Sequence, residues 1–459
     1  MGMNSNLYYI RRISFLTTFR KYTVKNISRP KRIKTKLDME TKCREDPLVM
    51  KLDTPEFHNI FSNEVLDLKK IFDKYQYEIR IAGGAVRDLL LGQQAKDLDF
   101  ATTATPQQMK EMFTTENVRM INLSGEKHGT ITPRINDKEN FEITTLRIDM
   151  VTDGRHAEVE FTKDWKLDAN RRDLTINSMF LGFDGSVYDY FYGLDDLQKR
   201  RIAFVGDPDV RIKEDYLRIM RYFRFYGRIA DSCDNHDEYT LNIIKNNADG
   251  LQNVSGERIW MELKNILQGN FAGDLLKTML SVNIGQHIGI PNCNMEELNS
   301  LLKRSKHLNL HPMSYLAALL YNIDDVTVLH NRLKFSSYDR DMAYFLVENR
   351  NEKTGSRPLL PYEKLVLNTK IKQKDAVDYV KEVLTYKGDE KLLNEFNNWE
   401  IPKFPVNGKI LKESGVPPGK MYGPIMIKLK DLWIENEYKH STEDLVKIIP
   451  SVVEEFKRK

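Results

Sequence analysis

Two aspartates, Asp97 and Asp99, stand one residue apart in the segment "KDLDF". If this segment is a strand, its alternate side chains point to the same face, so the two carboxylates converge. Two close carboxylates repel each other, and one takes up a proton unless a cation lies between them. Oxygen ligands without a nearby Cys or His favour Mg²⁺ or Mn²⁺ over zinc. The pair is a candidate metal site; the alternative is two exposed acids on a loop.

A pair of glycines precedes these acids in the segment "GGAVRD", thirteen residues upstream. Gly83 and Gly84 allow the backbone to approach a ligand closely, and a helix that starts here offers free N–H groups to a phosphate. Arg87 adds a cation in the first turn of that helix. A phosphate-binding turn beside a metal pair predicts a site for Mg²⁺ with a nucleoside triphosphate.

Glu142, in "FEITTLRID", is a third candidate acid. It joins the metal pair if its strand lies beside the strand of Asp99, with both side chains on one face. One metal ion would then activate a hydroxyl and another would hold the triphosphate, as in two-metal in-line displacement.

The segment "NRRDLTINSM", residues 170–179, concentrates hydrogen-bonding side chains. Arg171, Arg172, Asp173 and Asn177 form a polar group suited to a triphosphate and its ribose. The alternative is a helix start with surface charges.

Charges recur every third residue in "EDYLRIMRYFRFYGR", residues 214–228. On a helix, Asp215 and Arg218 are neighbours, and Arg221 and Arg224 follow around the surface. The carboxylate would accept from the exocyclic amino group of cytosine or adenine, and the guanidinium would donate to the adjacent ring nitrogen. Uracil and guanine present the reverse pattern, which leaves buried groups unpaired. The pair could select C and A, although an ordinary i,i+3 salt bridge has the same spacing.

The helices and strands that must position these residues are predicted from hydrophobic periodicity and from turn residues. The first half of the chain mixes strands and helices, and the chain after about residue 210 is largely helical. The predicted strands are 78–84, 97–103, 141–149 and 156–161, and a helix is predicted over 85–92.

The 459 residues carry a net charge of +4, but its distribution is uneven. Residues 1–37 contain ten Lys or Arg and no acid, which is typical of a mitochondrial transit peptide; a basic tail is the alternative. Initiation at Met39 or Met50 would give a second, cytosolic or nuclear form. The sequence contains no stretch of about 18 apolar residues, so no membrane span is predicted. Three separated cysteines indicate neither a disulfide framework nor a zinc site.

Taken in order, the motifs resemble those of the class II CCA-adding enzymes, the tRNA nucleotidyltransferases. The likeness is strong over residues 75–270 and extends to "FPVNGKIL" and "GVPPGK". It implies an α+β nucleotidyltransferase head, with a small mixed sheet like that of DNA polymerase beta, followed by an all-helical neck, body and tail. The implied divisions are a leader (1–45), the head (46–185), the neck (186–270), the body (271–350) and the tRNA-binding tail (351–459).

The resemblance also implies the roles of individual residues. Asp97 and Asp99 would bind Mg²⁺ or Mn²⁺, and the implied nucleotide-binding residues are Gly84, Arg87, Arg172, Asp215, Arg218, Arg221 and Arg224. Residues 122–135 resemble a mobile loop that helps the switch from C to A. The implied reaction adds CCA to the 3′ end of tRNA from CTP and ATP and releases pyrophosphate, with the tRNA acceptor arm as partner. No oligomeric state is predicted.

Two rival functions stay open: a poly(A) polymerase of the same superfamily and a noncatalytic RNA-binding relative. A dinucleotide-binding oxidoreductase is disfavoured because "GGAVRD" lacks the GxGxxG spacing.

Overall fold

The computed structural model describes residues 43–122, 125–152, 157–290, 293–353, 355–416 and 419–457. These residues form two compact units. The first comprises the described chain up to Val254 together with Gly269–Ile284, and the second comprises Ser255–Gln268 with Gly285 onward. Almost all of the predicted leader, with Met39, lies outside the described residues, as does part of the predicted mobile loop. The finer boundaries of head, neck, body and tail stay predictions.

A mixed sheet forms the centre of the first unit. In the described residues nine strands contribute to it, in the order β1-β11-β10-β2-β3-β7-β5-β4, with β6 paired to β5. The strands are β1 (Leu48–Lys51), β2 (Ile79–Ala82), β3 (Asp99–Thr102), β4 (Arg119–Asn122), β5 (Thr130–Ile135), β6 (Glu139–Asn140), β7 (Glu142–Thr145), β10 (Phe180–Leu181) and β11 (Ser186–Asp189). Strands β8 (Arg147–Thr152) and β9 (Ala157–Phe161) form a separate antiparallel hairpin.

The first unit also contains helices. They are α1 (Pro55–His58), α2 (Asn63–Lys74), α3 (Gly84–Leu90), α4 (Pro106–Thr115), α5 (Trp165–Asn170), α6 (Gly193–Gln198), α7 (Pro208–Glu214), α8 (Leu217–Ile229), α9 (Glu238–Asn247) and α11 (Ala272–Ser281). A 3-10 helix over Thr175–Asn177 precedes β10. The apolar side of α2 meets α4 through Phe72 and Phe113, whose ring centroids are 6.1 Å apart. Both rings are fully buried, so these helices close the core.

The second unit is helical throughout its described residues. Its helices are α10 (Gly256–Leu267), α13 (Met295–Arg304), α14 (Pro312–Leu319), α15 (Ile323–Leu333), α16 (Ser337–Asn349), α17 (Leu360–Leu367), α18 (Gln373–Lys387), α19 (Glu390–Asn398), α20 (Gly408–Glu413), α21 (Tyr422–Glu435) and α22 (Thr442–Lys457), and α12 (Ile284–His287) lies at the boundary of the two units. Buried Asp339 joins α10 to α16, because it accepts from Trp260 Nε1 at 3.1 Å and from Lys264 Nζ at 3.0 Å. Among the described helices, none has the length and apolarity needed to cross a membrane.

The predicted fold class is confirmed: a mixed-sheet head precedes a helical remainder. Two element predictions need correction. The strand predicted over 141–149 is divided at buried Leu146, where β7 leaves the main sheet and β8 begins the hairpin. The helix predicted over 214–228 begins only at Leu217, because Asp215 has extended backbone angles (φ −154°, ψ 106°) that end α7.

Candidate active site

A sharp turn between β2 and α3 lies at the centre of the predicted site. Gly83 has φ +67°, which favours glycine, and a Cβ there would lie 3.2 Å from Arg172 Nη1. A Cβ on Gly84 would lie 3.5 Å from Arg87 Nη2. Gly83 therefore allows the Arg172 guanidinium to lie against the backbone of the turn, whereas a Cβ at Gly84 would make only ordinary van der Waals contact with Arg87.

The acids meet at one edge of the sheet. Strands β3 and β7 are parallel, and Asp99 lies opposite Glu142 as the first residue of each strand. The predicted neighbourhood of these two residues is confirmed. Asp97, in contrast, lies in a bend before β3, so the prediction that one strand carries both aspartates is wrong. Its carboxylate is still close enough to act on Asp99.

The electrostatics of Asp99 reflect this crowding. Desolvation by the surrounding protein raises the pKa of its carboxyl group, and the charges of Glu142 and Asp97 raise it further, while Arg172 opposes them. A cation placed among these groups would relieve the repulsion.

The donor set fits a hard divalent ion that is shared with a substrate. Within the described ranges, no three His, Cys, Asp or Glu side chains converge tightly enough to surround a metal ion by themselves. Mg²⁺ is commonly held by one or two carboxylates, with phosphate oxygens and water as its other ligands. Asp97 and Asp99, with Glu142 nearby, match that arrangement.

Arg172 is held in place by a residue that sequence reasoning missed. Asp168, which is 1% exposed, accepts from Arg172 Nε at 3.2 Å and Nη2 at 3.0 Å, and from Arg171 Nε at 2.8 Å. Burial raises the pKa of Asp168, but the two guanidinium groups outweigh burial and lower it overall. The i,i+3 and i,i+4 spacing to the two arginines was a usable signal for this contact.

Arg87 is buried next to the glycine turn rather than exposed on the surface. The residue is 3% exposed; its Nε donates to Asp88 Oδ1 at 2.9 Å and its Nη1 to Asn177 Oδ1 at 2.6 Å. Its guanidinium carbon also lies 4.9 Å from the centre of the Phe225 ring. Burial lowers its pKa, and the adjacent Asp88 counteracts this. A buried positive charge therefore lies close to the backbone of Gly84.

Asn177 continues this chain of contacts to α8. Its Nδ2 donates to Asp173 Oδ1 at 3.4 Å, and Asp173 Oδ2 accepts from Arg221 Nε at 2.6 Å. Burial raises the pKa of Asp173, but Arg221, the backbone N–H of Leu174 and Arg218 together outweigh burial, so the pKa is lowered. Asp173 and Asn177 thus connect the glycine turn to α8.

The break between α7 and α8 changes the geometry expected for base reading. Asp215 lies in the break and accepts from Leu217 N at 3.1 Å, so it is not a helical neighbour of Arg218. Arg218 is anchored by Glu214 at 2.6 Å and by the carbonyl oxygens of Arg211 and Arg171 at 3.2 and 3.0 Å. These contacts use three of the five N–H donors of its guanidinium.

The remaining predicted arginine, Arg224, lies one helical turn beyond Arg221. Its guanidinium carbon is 4.5 Å from the centre of the Phe225 ring, and that of Arg221 is 5.5 Å from the same ring. Arg87 of α3 contacts the same ring, so Arg87, Arg221 and Arg224 lie around one aromatic side chain.

Two family models match the chain. Residues 79–203 match "Poly A polymerase head domain", and residues 237–291 match "Probable RNA and SrmB- binding site of polymerase A". Solved structures share the fold. A Bacillus stearothermophilus CCA-adding enzyme in complex with CTP covers 88% of this chain and 100% of its own, with a TM-score of 0.67 and 22% identity. A Thermotoga maritima CCA-adding enzyme complexed with tRNA covers 88% and 99%, with a TM-score of 0.62 and 18% identity.

Curated relatives are much more similar in sequence. The mitochondrial CCA tRNA nucleotidyltransferase 1 of Mus musculus is 49% identical over 405 residues, which span 87% of this chain and 93% of the relative. The Homo sapiens protein of the same name is 48% identical over the same shares. Identity at this level over nearly the full length of both chains shows that the chain belongs to the family of CCA-adding tRNA nucleotidyltransferases.

Proposed function

We propose that the protein adds the sequence CCA to the 3′ end of tRNA, using CTP and ATP and releasing pyrophosphate. The observation that carries the proposal is the pairing of Asp99 with Glu142 across parallel strands, beside Arg172, in a chain of this family. Acids and a guanidinium on adjoining elements suit the negatively charged phosphates of a metal-bound nucleotide.

Nucleotidyltransferases of this family depend on divalent metal ions in general. For this chain we propose Mg²⁺, with Mn²⁺ as a substitute, held by Asp97 and Asp99 with Glu142 as a further acid. Carboxylate oxygens are the donors that both ions prefer. When bound, such an ion supplies charge neutralisation and lowers the pKa of a coordinated hydroxyl.

The protein's own groups have the task of holding the triphosphate in line with the attacking hydroxyl. Gly84 lets phosphate oxygens approach the backbone, and Arg172, fixed by Asp168, presents a guanidinium beside it. Arg87 contributes positive charge from its buried position next to the turn, and Arg221 and Arg224 extend the cationic side along α8.

The chemistry then requires one bond exchange per nucleotide. The 3′ hydroxyl oxygen of the tRNA attacks the α-phosphorus, the bond from that phosphorus to the bridging oxygen breaks, and pyrophosphate leaves. Two cycles with CTP and one with ATP complete the end.

Selection of C and A is proposed for Asp215 and Arg218. The carboxylate would accept from the exocyclic amino group, and the donors of Arg218 that its three anchoring contacts leave over would donate to the ring nitrogen. Anchoring by Glu214 keeps the guanidinium in a fixed orientation, which strengthens rejection of U and G.

Poly(A) polymerase activity is the alternative from the same superfamily. The first family model is named for poly A polymerase and the second for an RNA-binding site of polymerase A, but the relatives with 48–49% identity over 93% of their length are CCA enzymes, which favours CCA addition. A noncatalytic RNA-binding role is disfavoured because the predicted acids and arginines are all present.

We also propose that the protein acts in mitochondria, because its leader is basic and acid-free and the mouse and human relatives are named mitochondrial. Initiation at Met39 or Met50 would give a second form outside them. A reporter fused to residues 1–45 should enter mitochondria, and a reporter fused to the chain that starts at Met50, which lacks the leader, should not. A diffuse signal from the first fusion would contradict the proposal.

The overall function is tested with tRNA that lacks its CCA end. The full chain, given CTP alone, should add two residues and stop; given both nucleotides, it should add CCA and stop. The lengths and sequences of the products are read on a sequencing gel. Repeated A addition to generic RNA from ATP alone would instead support the poly(A) alternative.

Replacement of either metal-site aspartate should abolish incorporation. We expect Asp97→Ala and Asp99→Ala to lower the rate by about three orders of magnitude, because a metal ion stabilises the transition state by several kcal/mol. Asp73→Ala, an exposed aspartate of α2, is the matched control and should keep the wild-type rate. Wild-type incorporation by Asp99→Ala would refute the metal assignment.

Changes in the proposed base reader should alter selectivity more than stability. In Arg218→Ala and Asp215→Ala, we expect the preference for CTP over UTP to fall by about 10²-fold or more, because discrimination depends on buried donors and acceptors. The measurement compares kcat/KM for CTP, ATP, UTP and GTP on truncated tRNA. Unchanged ratios in a folded variant would exclude a reading role for that residue.

A further inference from the structure

Two charged residues of the sequence motifs have no part in the reaction proposed above. Asp88 ends the segment "GGAVRD", and Arg228 ends the segment "EDYLRIMRYFRFYGR". The structure pairs them with each other, since Arg228 Nη2 donates to Asp88 Oδ2 at 2.9 Å across 140 positions of sequence. We propose that Asp88 is a positioning residue, which holds α8 and its arginines at the nucleotide site through Arg228. The proposal rests on the nucleotide site proposed above.

The carboxylate of Asp88 serves two guanidinium groups from different elements. Its Oδ1 accepts from Arg87 of α3, and its Oδ2 accepts from Arg228 of α8. Asp88 itself is only 7% exposed. A buried carboxylate with both oxygens engaged has little freedom, so α3 and α8 are fixed relative to one another.

A second ion pair, between Arg221 and Asp173, anchors the same face of α8. Arg221 and Arg228 are seven positions apart, about two helical turns, so their side chains leave one side of the helix. Arg221 pairs with Asp173 at 2.6 Å, and Arg228 pairs with Asp88 at 2.9 Å. Two fastening points along one face restrict both rotation and sliding of the helix, and Arg224 lies between them.

Asp88 and Asp173, the partners of Arg228 and Arg221, are also connected to each other by a chain of side-chain contacts. Arg87, Asn177 and Asp173 are joined by hydrogen bonds of 2.6 and 3.4 Å, which complete a closed circuit from Asp88 back to α8. Loss of the Arg228 contact would therefore remove one of the two ion pairs that orient α8, while the buried side chains of Tyr226 and Ile229 keep this end of the helix packed. The expected result is a misplaced set of arginines in an otherwise folded protein.

Arg228 is the better residue to change first. Its side chain is 45% exposed, so its removal costs little stability, and Asp88 keeps Arg87 as a partner. Removal of the Asp88 charge instead leaves buried Arg87 without its carboxylate, which lowers the stability of the protein whether or not Asp88 positions α8.

The test measures binding of CTP and ATP to the tRNA-free full chain in the presence of Mg²⁺, with the Tm of each variant. Arg228→Met should raise both Kd values about three- to tenfold, because a positioning contact acts only indirectly on the ligand. Arg228→Lys, which retains the charge, should recover most of the affinity. Lys245→Met, an exposed change on α9, is the matched control and should bind like wild type.

The outcomes separate positioning from a purely structural role. A folded Arg228→Met with wild-type Kd values, or an Arg228→Lys no better than Arg228→Met, would overturn the proposal. Asp88→Asn should weaken binding, and Arg228→Met should add little further loss in that background; additive losses would contradict coupling through the pair. If the wild type binds both nucleotides but extends no tRNA, the proposed function fails while this proposal stands.

Discussion

Much of the site depends on one buried guanidinium. Arg87 is almost completely shielded from water, so its charge must be neutralised and its donors must be satisfied within the protein. Asp88, Asn177 and the ring of Phe225 meet these needs, and each belongs to a different element. Because these partners cannot shift without exposing or orphaning the charge, α3, the 3-10 helix and α8 have a single mutual arrangement.

Around this fixed centre, charges of opposite sign occupy different elements. The acids stand at the first residues of β3 and β7 or just before them, while the arginines come from the loop after α5 and from α8. Arg172 lies between the two groups, because its charge opposes the rise in the pKa of Asp99 while Asp168 holds it beside the glycine turn. A ligand that carries both a cation and several anionic oxygens complements such a division.

The sequence predicted those parts of the site that local signals define. The turn at Gly83 and the strands on either side follow from glycine punctuation and alternating apolar residues. The register of Asp99 with Glu142 could not be derived, because it depends on parallel pairing between strands that begin 43 residues apart. The helix break at Asp215 was missed for a similar reason: the residues on both sides favour helix, and contacts of Arg218 with Glu214 and distant Arg171 stabilise the break. Only Asp168 had an unused local signal.

The length of chain between the paired motif residues affects how the site can assemble. The contacts of Arg87 with Asn177 and of Asp88 with Arg228 close loops of 90 and 140 residues. Closure of long loops carries an entropic cost that must be met before the contacts form, and such contacts slow folding. During synthesis, a chain that ends before α8 already contains the acids of β3 and β7 but lacks the last members of the circuit. The proposed nucleotide site therefore cannot be complete until the segment up to residue 228 has left the ribosome.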